Sequence, residues 1–240
     1  MTNLESHTSN LKYKEAYAVI VAGGSGSRMQ SAVPKQFLEI CGKPVLMHTI
    51  NAFYKSTFEP KIILVLNATY HDYWWELCEK HQFDIEHQLI AGGETRFHSV
   101  KNAVDIIENE DALIAVHDAV RPLTDIEVIN NAYQTAQSNG SAITAVKSRD
   151  SIRQMTGITS VALRREDIYL VQTPQTFKAG LLKQAYEQPY SDYFTDDASV
   201  VEQAGHTVHL IEGNYTNIKI TFPEDIAIAE LLLNKKGPQL

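Results

Sequence analysis

Cysteine is scarce in this chain. Cys41 and Cys78 are the only two among 240 residues. Two cannot staple a disulfide scaffold, and without a Cys-x-x-Cys pair there is no zinc-ribbon spacing. A reducing compartment, the cytoplasm, is the expected home. Long apolar runs are lacking too. No stretch approaches the ~18 residues that cross a bilayer, and the polar start, Met1 to Glu15, lacks the apolar centre of a secretory signal. Residues 1–15 read as a flexible extension ahead of a single domain over 16–240. Basic charge is in deficit: 21 Lys and Arg against 29 Asp and Glu give a formal net charge of −8. Nucleic acid and anionic membranes, which attract surplus Lys and Arg, are therefore excluded as partners. A small anionic ligand is not excluded, because a few cations converging on one pocket suffice.

What the chain does have is an ordinary apolar fraction of 44%, arranged in short buried-type runs alternating with helical periodicity. Tyr17 to Ala22 reads as a strand covered on both faces, as do Ile62 to Leu66, Ala112 to Val116 and Ala142 to Val146, with Gln88 to Ala91 a further strand. Helical spacing marks Val45 to Tyr54, His71 to His81, Arg96 to Ile107, Ala179 to Tyr186, Ala198 to Ala204 and Pro223 to Leu233, and Thr207 to Ile211 reads as a late strand. Strands alternating with helices imply an α/β fold with a mostly parallel central sheet. Ligands in such sheets bind beyond the carboxyl ends of the strands. Three polar clusters stand there: Gly23 to Lys35, Gly92 to Ser99 and His117 to Arg121. Residues 148–172 break the pattern. They alternate polar with β-branched residues around Gly157, an extended β-arm too thin to stand alone and expected to pack on a second subunit as a homodimer. Thr173 to Phe177 is expected to turn the chain back to the domain, and Trp74-Trp75 to serve packing.

The loop after the first strand holds Gly23, Gly24 and Gly26, then Arg28 and Lys35. Glycines after a buried strand let the backbone approach a ligand and offer free N–H groups to phosphate oxygens. A dinucleotide fingerprint fails, because Met29 stands where its last glycine belongs and the second strand ends in Leu66-Asn67 without an acidic residue. A Walker A loop fails for want of Gly-Lys-Ser/Thr. What the loop adds is two cations. Attack at the α-phosphorus of a triphosphate builds charge on the equatorial and leaving oxygens, and fixed cations there stabilise the transition state over the ground state.

The ordered motifs VAGGSGSRM, PKQF, GKPVL, GGETRFHSV, HDAVRP, TPQTF, FTDDASVVE and EGNYTNIKITFPED, running from Tyr17 to Leu232, resemble the 2-C-methyl-D-erythritol 4-phosphate cytidylyltransferase family. They resemble its sister, the ribitol-5-phosphate cytidylyltransferases, nearly as much. The resemblance implies a single Rossmann-like nucleotidyltransferase domain with a dimerising β-arm, acting on CTP and a small sugar-alcohol phosphate. It implies Arg28 and Lys35 as transition-state stabilisers. Lys219 and Arg165 would position the sugar phosphate, Arg165 reaching in from the partner's arm. Ala22, Gly23, Gly93 and Ser99 match the cytosine-binding surface, and Arg96, Asp118, Ala119 and Arg121 line the nucleotide and acceptor pocket. The family pattern has Asp-Thr at the start of the arm where this chain has Asp150-Ser151. Serine keeps the substrate-facing hydroxyl and loses the methyl.

The nucleophile so implied is a phosphate monoester oxygen. Its second pKa is about 6, so it needs no general base, and the nine histidines need no catalytic role; His117 reads as a local hydrogen-bond former. Two polyanions must meet, so Mg²⁺ is expected, with Asp118 as its carboxylate. Asp196 and Asp197 fit either a share in holding that ion or the cap of the helix after them. A non-catalytic nucleotide-binding module is the alternative from another class; retention of Arg28, Lys35 and Lys219 argues against it.

Overall fold

The computed structural model describes residues 14–22 and 33–235. Gly23, Gly24, Gly26 and Arg28 lie outside the described residues. In chain order the elements are β1 (Ala16–Val21), β2 (Glu39–Ile40), β3 (Lys43–Pro44), α1 (Val45–Tyr54), β4 (Lys61–Leu66), α2 (His71–Lys80), β5 (Gln88–Ala91), α3 (Arg96–Asp105), β6 (Leu113–Asp118) and α4 (Ile126–Asn139). Then follow β7 (Ser141–Lys147), β8 (Arg153–Thr156), β9 (Thr159–Ala162), β10 (Tyr169–Lys178), α5 (Ala179–Tyr186), α6 (Asp197–Gln203), β11 (Leu210–Glu212) and α7 (Glu224–Lys235).

Seven strands form one sheet in the order β11-β7-β10-β6-β1-β4-β5. β6, β1, β4 and β5 run parallel, as does the β11–β7 pair, and β10 lies antiparallel between β6 and β7. The alternation along β1 explains why helices cover both faces. Ala16, Ala18 and Ile20 point to one side, where Leu46, Ile50 and Phe53 of α1, Trp74 of α2 and Tyr133 of α4 pack. Val19 points to the other, against Phe97 and Val100 of α3, Leu182 of α5 and Val201 of α6. Each such aliphatic side chain removed from water stabilises the fold by roughly 1.5–3 kcal/mol before entropy is counted. A third, smaller cluster seats α7 on the rim, through Ile40, Val45, Val120, Ile220 and Ala229.

The expected α/β class and mostly parallel sheet are observed, with three local differences. α4 is a helix that sequence patterning leaves unnamed; it buries Ile129, Ala132, Tyr133 and Ala136 and stops at Gly140, whose φ of +89° suits glycine. Thr173 to Phe177 is not a turn but part of β10, with Gln175 to Phe177 paired to both neighbours and Thr173 and Pro174 in the register shift between Val171 and Gln175. A residue without an N–H is tolerated in such an irregularity. The late strand starts three residues later than expected and ends one later; just before it, the His209 N–H bonds the Ser141 hydroxyl, at 3.1 Å, and not a neighbouring strand's carbonyl. In the arm, β8 and β9 form an exposed hairpin around Gly157, whose φ is +67°. Trp74 is fully buried and Trp75 half exposed, stacked on His87.

Candidate active site at the carboxyl rim of the sheet

Asp118 is the last residue of β6, which reaches past the expected strand end at Val116. Its backbone is pinned by ladder pairing to Val21 and by its N–H, which donates to Thr173 Oγ1 at 3.1 Å. Its carboxylate gathers three cations from three parts of the sequence. Arg121 Nε lies 3.0 Å and Lys219 Nζ 3.1 Å from Oδ2, while Arg96 Nε stands 3.9 Å from Oδ1. Burial alone would raise the Asp118 pKa. The charges of Lys219, Arg96 and Arg121 outweigh it and hold the carboxyl well below the usual range. Asp118 is therefore an anion throughout the physiological range, and its cations are fixed before any phosphate arrives.

Each cation is itself braced. Arg121 donates from Nη1 to the Asn217 carbonyl at 2.9 Å. Asn217, almost fully buried, donates to the Thr173 carbonyl at 2.9 Å and accepts from the Thr124 hydroxyl at 2.9 Å. That network fixes the segment carrying Lys219. Lys35, itself buried, donates from Nζ to the Ile220 carbonyl at 2.9 Å, so the short turn Lys35–Phe37 is tied to the residue beside Lys219. Arg96, in the first turn of α3, forms a two-pronged pair with Asp197 at 2.9 and 2.6 Å. Burial works against the Arg96 charge, but Asp197 and, less strongly, Asp118 raise its pKa above the ordinary value. Two of the three predicted clusters thus meet at Asp118, and Lys35 joins them through Ile220.

The nucleotide-side residues lie along the same rim. The Ala22 N–H donates to the Val65 carbonyl at 2.8 Å, and its carbonyl accepts from Gln36 Nε2 at 3.2 Å. The Ala119 N–H donates to the Val21 carbonyl at 3.1 Å. Ser99 is buried; its hydroxyl accepts from the Gly93 N–H at 3.0 Å and donates to the Thr95 carbonyl at 2.9 Å. Its visible role is to shape the turn that presents Gly93. That turn requires glycine, since a Cβ at Gly93 would lie 2.4 Å from the His98 Cβ.

The arm residues stand apart. Ser151 is exposed, and Arg165 is exposed with Nη1 3.3 Å from the Arg149 carbonyl. Among the described residues no hydrogen bond or ion pair joins either to Asp118.

His117, fully buried, meets Thr124 Oγ1 at 3.3 Å and the edge of the Phe53 ring. Burial, with the cations of Arg121 and Lys219, pushes its pKa down to about 3, so it is neutral and serves packing. Asp196 is the cap left open by the sequence, its Oδ1 accepting from the Ser199 N–H at 2.9 Å. Sequence reasoning missed Asp197 as the counter-ion of Arg96, and Asn217 and Thr173 as braces. Their signal was only their place inside polar motifs beside the named residues.

Mg²⁺ can be tested against this donor set. No cluster of three or more His, Cys, Asp and Glu side chains capable of holding a metal ion occurs among the described residues. The rim offers one ionised carboxylate, whose Oδ1 accepts no hydrogen bond among the described residues. That suits an ion delivered with substrate phosphates, which Mg²⁺ binds through one or two carboxylates and retained waters.

The family model of IspD, 2-C-methyl-D-erythritol 4-phosphate cytidylyltransferase, matches residues 16–235. A protein of that name from Bacteroides thetaiotaomicron is 50% identical over 215 residues, which span 90% of this chain and 98% of the relative. One from Porphyromonas gingivalis is 45% identical over 221 residues, spanning 92% and 98%. The crystal structure of 4-diphosphocytidyl-2C-methyl-D-erythritol synthase from Anaerococcus prevotii superposes with a TM-score of 0.79 at 29% identity, covering 92% of this chain and 96% of that one. With the sheet, the cation-ringed aspartate and these matches in agreement, the chain belongs to the 2-C-methyl-D-erythritol 4-phosphate cytidylyltransferase family.

Proposed function

We propose that this chain transfers CMP from CTP to 2-C-methyl-D-erythritol 4-phosphate, giving 4-CDP-2-C-methyl-D-erythritol and pyrophosphate. The observation that carries the reading is the convergence of Arg96, Arg121 and Lys219 on Asp118, with Lys35 anchored one residue from Lys219. A phosphate oxygen of the acceptor attacks the α-phosphorus. The new P–O bond forms as the bond to the bridging oxygen breaks, and its electron pair leaves with pyrophosphate. Lys35 and Lys219, with Arg28 of the preceding loop, stabilise the charge that grows on the phosphoryl oxygens. Asp118 accepts a hydrogen bond from an acceptor hydroxyl, Arg121 sets its orientation, and Ser151 adds a hydroxyl from the arm. Ala22, Gly23, Gly93 and Ser99 serve the cytosine side, and Gly24 and Gly26 are assigned to nucleotide binding. Mg²⁺, when bound through Asp118 and the phosphates, supplies further neutralisation of the triphosphate.

The assembly is a homodimer through residues 148–172, each arm lending Arg165 to its neighbour's site. Supporting this, the arm exposes Met155, Ile158 and Val161, apolar side chains that a thin hairpin cannot cover by itself. A cytoplasmic location accords with two unpaired cysteines and with the finding that no helix among the described residues is long and apolar enough to cross a membrane.

Pyrophosphate release from CTP and Mg²⁺, measured side by side with methylerythritol phosphate and ribitol 5-phosphate, tests the acceptor. Methylerythritol phosphate is expected to win. A tenfold preference for ribitol phosphate in kcat/KM would overturn the reading, and CTP binding without turnover of either would point to a non-catalytic module.

A further inference from the structure

Asp197 is fully buried, accepts three hydrogen bonds, and has no part in the chemistry outlined above. Its Oδ1 accepts from Arg96 Nη1 at 2.9 Å and from the Tyr186 hydroxyl at 2.7 Å; its Oδ2 accepts from Arg96 Nη2 at 2.6 Å. Tyr186 is itself buried among Phe97 and the α5 core, stacked on the Phe97 ring with centroids 4.7 Å apart, so the anchor is rigid. An arginine fork gripped at both Nη atoms has no freedom to rotate. Its Nε, which Asp197 does not engage, is left 3.9 Å from Asp118 Oδ1, beyond hydrogen-bonding distance. Oδ2 of the same carboxylate is already engaged by Arg121 and Lys219.

We infer that Asp197, steadied by Tyr186, is a positioning residue that holds Arg96 off Asp118 Oδ1 and so keeps that oxygen open for a hydroxyl of the acceptor. Asp118 and Asp197 are the two carboxylates that pair with Arg96 among the described residues. With the Asp197 charge removed, Asp118 is the anion left to the guanidinium, and a shift of about 1 Å closes the gap to hydrogen-bonding distance. A guanidinium seated on Oδ1 then competes with the acceptor, while Arg96 keeps its charge near the nucleotide. The inference rests on the reading that Asp118 receives the acceptor.

The experiment measures acceptor KM, kcat and the CTP dissociation constant for Asp197→Asn, Tyr186→Phe, Arg96→Gln, the Arg96→Gln/Asp197→Asn double variant and Asp118→Asn. Asp197→Asn should raise acceptor KM about tenfold with CTP affinity within about twofold of wild type, the weight of one charge-assisted contact. Tyr186→Phe should shift it in the same direction by a few-fold. In the Arg96→Gln background Asp197→Asn should have no further effect on acceptor KM, because there is no guanidinium left to restrain. An Asp197 effect that persists without Arg96 overturns the inference, as does an equal loss of CTP affinity. A shift in the Mg²⁺ midpoint with acceptor KM unchanged also overturns it, because Oδ1 would then serve the metal and not the acceptor. Should Asp197→Asn not fold, Tyr186→Phe with and without Arg96→Gln runs the same test. Unchanged acceptor KM in Asp118→Asn would instead remove the underlying reading of Asp118.

Discussion

Lys35 and Ile220 are 185 positions apart in sequence, yet Lys35 Nζ donates to the Ile220 carbonyl at 2.9 Å. This bond joins the turn Lys35–Phe37 to the segment that holds Lys219. Lys35 is thus set by the backbone next to Lys219, whereas Lys219 is set by Asp118, and the two lysines differ in burial. Lys35 is buried, whereas the Lys219 side chain is 42% exposed.

That difference separates their variants. Lys35→Ala and Lys219→Ala should each lower kcat by about 10²-fold or more, the usual cost of losing a donor to developing charge. Lys219→Ala should leave the melting temperature nearly unchanged, while Lys35→Ala should lower it by removing the tie to Ile220. Pyrophosphate-release kinetics and thermal unfolding check the pair; wild-type turnover in both would refute the assignment.

Arg121 and Asp118 form a pair in which both side chains are about nine-tenths buried. Breaking such a pair leaves the buried Asp118 carboxylate with Lys219 as its one close cation among the described residues. Arg121→Met should cost about 3 kcal/mol of stability. The Asp118→Asn/Arg121→Met double variant should cost less than the two single losses added together, a coupling of about 1–3 kcal/mol. Urea denaturation of the four proteins measures it, and simple additivity would show that the two side chains do not stabilise one another.

His117 gives the fold an acid sensitivity. Its folded pKa of about 3 lies below the ordinary histidine value near 6.5. Between those values the unfolded chain binds a proton that the folded one refuses. Stability from this residue is therefore complete above pH 6.5 and declines as pH falls, by up to about 1.4 kcal/mol per pH unit inside the window. Unfolding free energies at pH 4.5–6.5 should fall more steeply for the wild type than for His117→Gln. Parallel slopes would contradict a neutral, buried imidazole.

Arg165 stands on the exposed arm, away from Asp118. If it serves the neighbouring subunit, mixing Lys35→Ala chains with Arg165→Ala chains should restore activity. In a two-fold dimer one of the two sites of each heterodimer is then intact. Verified heterodimers with no recovery would place Arg165 in its own subunit's site.

The elements legible beforehand are those with a strong local pattern. β5, α1 and α5 begin and end where periodicity and the flanking residues put them. α4 escaped because its polar residues, Asn130, Asn131 and Gln134, obscure a narrow stripe of two alanines, an isoleucine and a tyrosine. β10 escaped because Thr173 and Pro174 look like turn residues, and they do fall in the register shift of the strand, where Asp118, Asn217 and Thr144 supply their hydrogen bonds. Of the site, Lys35, Arg96, Asp118, Arg121 and Lys219 were named from motifs, but Asp197 and Asn217 were not. A buried counter-ion has no periodicity of its own.

The sequence by itself determined the alternating α/β plan, the placing of polar clusters after buried strands, and the family, because apolar periodicity and ordered motifs are local properties of the chain. Only the tertiary structure decided that Arg96, Arg121 and Lys219 share one aspartate, that Asp197 grips Arg96, and that Lys35 leans on Ile220. Those are pairings between residues up to 185 positions apart. Their energies depend on distance and burial, which the packing of the sheet and its helices sets.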